Sequence, residues 1–117
     1  MEISMVNNIY NFRNGEEAFS YLINLVDSKF SEFTVTKKTE VDIQKSKFGF
    51  FAIWLLYKEI EFKIVCERGE LHYELKFDNV EIGLHHFDEE MNEVLAFSKE
   101  NLDCTLSVFK RFVDQLT

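Results

Sequence analysis

Hydrophobic and polar positions recur along this chain with two different periods, and the change of period marks the elements. Ala18, Phe19, Leu22, Ile23, Val26 and Phe30 return at helical spacing, which predicts an amphipathic helix. Asn14 stands before the run as a cap, and Glu17 follows three residues later as a capping-box partner. Glu16 and Glu17 in the first turn, and Lys29 near the end, complement the helix dipole.

The period then falls to two. Phe33, Val35, Thr39, Val41 and Ile43 share one face, with Lys37 as the exception, while Glu32, Thr34, Thr36, Lys38, Glu40 and Asp42 share the other. That is the pattern of a strand with one wet face. Gln44 to Lys47 reads as a polar turn.

From Phe48 to Phe87 the pattern predicts four further strands joined by two-residue turns at Lys58-Glu59, Arg68-Gly69 and Asp78-Asn79. These turns set Tyr57 against Ile60, Leu55 against Phe62, Ile53 against Ile64 and Phe51 against Cys66. The next pairs are Cys66 with Leu71, Ile64 with Tyr73, Phe62 with Leu75, Ile60 with Phe77 and Phe77 with Val80, and Ile82 and Leu84 extend the same face. A slip of one residue would send every one of these side chains to the other face, so three turn placements support one register. On the opposite face Lys63 meets Glu74 and Glu61 meets Lys76, pairs worth about 0.2–1 kcal/mol each.

Asp88, Glu89 and Glu90 suit the start of a last helix, and Met91, Val94, Leu95, Leu102, Leu106, Phe109, Val113 and Leu116 form its apolar stripe. Asn101-Leu102-Asp103 marks a place where this helix either breaks in two or runs on. The fold class expected is α+β: an N-terminal helix, a five-stranded antiparallel meander sheet and a C-terminal helix, in a single domain over residues 1–117.

Composition narrows the class of protein. Apolar residues are 46% of the 117 and aromatics 15%, enough apolar mass to offset the entropy of ordering the chain. No linker, repeat or low-complexity tract divides it. The apolar run Phe48 to Tyr57 is too short to span a bilayer, and Met1 to Phe12 lacks the basic start and apolar run of a signal peptide. Cys66 and Cys104 are expected inward as thiols rather than as a disulfide. A cytoplasmic protein is the expectation.

The formal net charge of −8 disfavours a direct nucleic-acid contact. The charge is also uneven. Residues 1–60 carry 8 acids and 7 bases, and residues 61–117 carry 13 acids and 6 bases. A solvated surface explains such a charge by itself, and so does a surface that steers a basic partner.

Three candidate sites follow. The acidic one comprises Glu67, Glu70, Glu74, Asp88, Glu89, Glu90 and Glu93 as partner-binding residues, with His72 and His85 beside them. The apolar one comprises Phe48, Phe50, Trp54 and Leu56, with Ala52 and Val65 adjacent. These are either covered by another part of the chain or form an interface, as Trp and Phe often do. The third is the pair His72 and His85, placed face to face by the register, with Glu70 or Glu74 within reach and His86 turned toward the core. No nucleophile elbow, phosphate loop or catalytic set is present, so no catalytic residue, cofactor or metal is assigned.

The reading that follows is a non-enzymatic acidic binding protein, a bacterial immunity protein or antitoxin that occludes a basic toxin domain such as a nuclease. Two alternatives stand beside it. One is a secretion-chaperone-like dimeric adaptor, a homodimer on the Trp54 face that holds an unfolded client segment. The other is a small enzyme using His72 and His85.

Overall fold

The structure, a computed structural model, describes residue 12 and residues 14–41, 50–88 and 95–116. Helix α1 (Gly15–Lys29) starts where the cap directs it: the Glu17 N–H donates to Asn14 Oδ1 at 2.9 Å. It ends when the Phe30 N–H folds back onto the Leu25 and Val26 carbonyls.

An antiparallel meander follows, with β1 (Thr34–Val41), β2 (Phe50–Tyr57), β3 (Ile60–Glu67), β4 (Glu70–Phe77) and β5 (Val80–Glu81) in spatial order. All three tight turns fall at the expected dipeptides. Both residues of each have positive φ: Lys58 51° and Glu59 69°, Arg68 55° and Gly69 80°, Asp78 57° and Asn79 64°. Two left-handed residues in succession make a type I′ turn, whose twist matches that of the flanking strands.

The β2–β3 ladder runs from Tyr57↔Ile60 to Phe50↔Glu67, and the β3–β4 ladder from Phe62↔Leu75 to Glu67↔Glu70, in the register expected. Lys63 stands opposite Glu74 with 4.0 Å between Nζ and Oε2. Glu61 and Lys76 lie one step beyond the bonded part of that ladder, and Lys76 stands opposite Glu81 of β5.

Four details correct the sequence reading. In β1 the register shifts between Val35 and Lys37. Thr36 is the extra residue of this bulge, and its hydroxyl donates to the Trp54 carbonyl at 3.3 Å. Val35 therefore pairs with Leu55 on the core side, whereas Lys37 and Thr39 pair with Trp54 and Ala52 on the other face. Ile43 lies outside the described residues.

The second correction concerns β5, which is only two residues long. Leu84 is buried as expected, but in a helical turn, α2 (Leu84–Phe87), whose first N–H donates to the Tyr73 hydroxyl at 2.9 Å. Third, the apolar stripe expected for one last helix is divided. Leu95–Ala96 form a short strand, β6, on β4, and α3 (Lys99–Leu116) begins only after Ser98. The Asn101 N–H donates to Ser98 Oγ at 3.1 Å and the Leu102 N–H to the Ser98 carbonyl. Asn101 to Asp103 thus belong to a capped first turn and break nothing. Asp88 follows α2 instead of starting α3, and Glu89, Glu90, Met91 and Val94 lie outside the described residues. Fourth, Cys104 is exposed, because it sits two residues from both Leu102 and Leu106 and so on the far side of the helix.

Both long helices pack on the face of the sheet that carries Phe51, Ile53, Leu55, Phe62, Ile64 and Leu75. Phe19 meets Phe51 edge-on at 5.2 Å, and Phe109 stacks on Phe62 with centroids 4.2 Å apart. Each such buried side chain contributes about 1.5–3 kcal/mol from removal of apolar surface alone. At the rim, Lys29 binds the Asp103 carboxylate at 2.7 Å and ties the helices together. The Asp114 carboxylate accepts from the Tyr57 hydroxyl at 2.7 Å, from Lys58 at 2.9 Å and from Lys110 at 3.1 Å. It pins the end of α3 to the β2–β3 turn.

Candidate protein-binding face

The side chains that alternate away from the helices form the second face of the sheet. Across it, β1 supplies Lys37 and Thr39, β2 supplies Phe50, Ala52, Trp54 and Leu56, β3 supplies Glu61, Lys63, Val65 and Glu67, and β4 supplies Glu70, His72 and Glu74. Neither long helix covers it, and β1 only extends it edgewise.

Trp54 lies at its centre, half-buried. Lys37 Nζ sits 4.8 Å and Lys63 Nζ 5.0 Å from the indole centroid. These contacts are worth about 0.5–1 kcal/mol each at an exposed site, and they hold the ring in place while leaving an apolar surface beside it. The bulge creates this arrangement, since it is what brings Lys37 opposite Trp54. Ala52, flanked by larger neighbours, is 1% exposed, and Phe50, Leu56 and Val65 are half-buried.

Carboxylates border the apolar centre along β3 and β4. Glu67 and Glu70 face each other at the end of the hairpin, and Glu70 Oε1 lies 3.1 Å from His72 Nε2. Glu74 completes this border. The structure therefore brings together Glu67, Glu70, His72 and Glu74 with Phe50, Trp54 and Leu56. Asp88 stands apart, where it accepts from Arg111 Nη2 at 2.8 Å on the helical side. Phe48, Glu89, Glu90 and Glu93 lie outside the described residues.

The histidines do not form the facing pair expected, because β5 ends at Glu81 before the chain reaches them. His72 and His85 instead line an open cleft of about 540 Å³ together with Tyr73, Glu81, Gly83 and His86. His86 is exposed rather than turned inward, and its ring packs against that of His85 with centroids 4.0 Å apart. A Cβ at Gly83 would lie 2.5 Å from His85 Cε1, so any larger residue there must displace the His85 ring. His85 Nδ1 is buried with no hydrogen-bond partner. Among the described residues no group of three or more His, Cys, Asp or Glu side chains could hold a metal ion.

Electrostatics elsewhere favour anchoring over reactivity. Burial pushes the Cys66 thiol up to about 12, so it carries no thiolate at neutral pH. Hydrogen bonds from Tyr57, Lys58 and Lys110 hold the Asp114 carboxyl far below the usual carboxylate range, and the same bonds raise the two lysines. Sequence reasoning missed this junction, although Lys110 and Asp114 at i,i+4 carried a visible signal. It also missed the lysines around Trp54, which depend on a bulge that no composition cue announces.

Among the described residues no helix is long and apolar enough to cross a membrane. Comparison with protein-family models, curated proteins and solved structures finds no match to this chain.

Proposed function

We propose that the protein is a non-enzymatic binding protein, an immunity protein or antitoxin that occludes a basic toxin domain, such as a nuclease, through the second face of its sheet. One observation carries this reading: an aromatic and aliphatic centre at Trp54, Phe50 and Leu56 is bordered by Glu67, Glu70 and Glu74 on a face that neither long helix covers. An apolar centre with a polar rim is the usual anatomy of a protein interface. Carboxylates at the rim steer a cationic partner into contact and discriminate against anionic ones, and the apolar anchors then set the residence time. Occlusion needs no chemistry, only a rigid surface, and the three tight hairpins provide one.

The test is association with a basic partner co-purified from the native host, measured with Glu67→Lys, Glu70→Lys and Glu74→Lys combined. Association should slow by about tenfold or more at low salt and converge on the unmodified protein at high salt. Unchanged association at low salt removes this face as the interface. Trp54 also favours a second reading, the dimeric adaptor, in which a second copy covers the same surface. Sedimentation at micromolar concentration separates the two: a dimer that Trp54→Ser converts to monomer supports the adaptor, and a monomer supports the inhibitor.

A further inference from the structure

We propose that the turn-bearing end of the sheet receives a cationic amphipathic segment of the partner, in a cleft of about 740 Å³ floored by Trp54, Ile60, Phe77 and Leu116. The proposal rests on the reading of the partner as a basic protein and says where its anchoring segment sits.

Exposed apolar surface among the described residues concentrates at this end. Phe77 is 38% and Leu116 43% exposed, and Val80, directly opposite Phe77 in the β4–β5 ladder, is 58% exposed. The cause is architectural. Phe77 continues the core-facing alternation of Leu71, Tyr73 and Leu75, but it lies at the last step of β4, where it stands more open to solvent than any of them. The sheet thus presents apolar side chains at a place where its own helical layer leaves them exposed.

Charge around the cleft points to the sign of the occupant. Among the described residues, Glu59, Glu61 and Asp78 have no cation within ion-pair distance. Two of the cleft's lysines are already engaged, Lys58 by Asp114 at 2.9 Å and Lys63 by Glu74 at 4.0 Å, which leaves Lys76 alone among the described lining residues to offset the three carboxylates. The uncompensated charge at the rim is therefore negative. A segment with leucine-like anchors for the floor and Lys or Arg beside them complements both features, in the manner of an amphipathic helix laid in a groove.

Trp54, the single tryptophan of the chain, lines the cleft and reports on it directly. The probe is an 18-residue helical peptide of leucine and lysine, with its leucine–glutamate counterpart as control, titrated against Trp54 emission. The lysine peptide should give a saturable change and the glutamate peptide none. Glu59→Lys, Glu61→Lys and Asp78→Lys together should weaken binding about tenfold or more at low salt, with less effect at high salt. Phe77→Ser with Leu116→Ser should weaken it at both. If the serine variant has lost its far-UV spectrum, the charge variant decides alone. Binding that ignores both sets but is lost with Glu67→Lys and Glu70→Lys, which lie outside the cleft, overturns the cleft and leaves the basic-partner reading standing. No binding of the lysine peptide overturns the cleft as well. Equal binding of the glutamate peptide overturns both.

Discussion

Truncating Phe109 tests how the helical layer holds the sheet. The ring is fully buried, stacked on Phe62 with 10° between planes and set edge-on to Phe33 at 5.4 Å. Phe→Ala in a packed core costs about 3–5 kcal/mol, and each well-placed ring pair adds about 0.5–1.5 kcal/mol beyond area. Phe109→Ala should therefore lie at the top of that range, about 5 kcal/mol. A domain of this length has roughly 6–18 kcal/mol in total, so the variant folds but is badly weakened. With a urea dependence of about 1–3 kcal/mol per molar, its midpoint should fall by roughly 2–5 M. Phe112 is the control: half-buried, with one edge contact to Phe87 at 5.6 Å, it should cost only about 1–2 kcal/mol. Urea titrations followed by far-UV circular dichroism and Trp54 emission give both values. Equal costs for the two alanines would refute the assignment of Phe109 as the keystone of the layer.

Three further outcomes are expected. Ellman's reagent at pH 8 should modify Cys104 in the folded protein and reach Cys66, buried and shifted to about 12, only after denaturation; two fast equivalents would contradict the burial of Cys66. The depressed Asp114 carboxyl stabilises the fold above the ordinary aspartate value of about 3.9, and this contribution is lost as pH falls toward its folded value. Asp114→Asn should accordingly lower the melting temperature at pH 7, and the gap should narrow at pH 2; a gap independent of pH would count against the junction. Glu59 holds φ at 69°, a region costing a side-chain-bearing residue about 1–2 kcal/mol, partly offset by the entropy glycine loses on folding. Glu59→Gly should raise stability by about 0.5 kcal/mol in the same titration, and a loss would place the strain elsewhere.

The meander was legible because two constraints coincided. Two-residue turns at Lys58-Glu59, Arg68-Gly69 and Asp78-Asn79 fix register, and the burial of one face penalises any slip. The bulge at Thr36 was not legible, since one inserted residue leaves the alternation on each side intact; Lys37 as an apparent exception was its only trace. Leu84 fits a strand face and a helical turn equally well, so periodicity could not see β5 end, and the histidine pairing built on it failed. Leu95 likewise matched the helical stripe while pairing with Leu71 in β6. Ser98, three residues before Asn101, was a readable cap that would have set the start of α3. Of the acidic site, Glu67, Glu70 and Glu74 were legible from register alone. Asp88 was misplaced because its neighbourhood depends on a tertiary contact with Arg111.

The two-residue turns also dictate how the chain comes together. In the β2–β3 ladder the paired residues are separated by as few as three positions at Tyr57↔Ile60, so each hairpin zips from its own turn on the microsecond scale of isolated hairpins. The helical layer obeys a different clock: Lys29 and Asp103 are 74 residues apart, and closing that span costs entropy before any packing repays it. Hairpin assembly is therefore expected to precede the docking of α1 and α3, an order that pulsed hydrogen exchange during refolding checks. Substitutions in the turns should therefore alter the speed of folding, whereas substitutions such as Phe109→Ala should act mainly on the rate of unfolding.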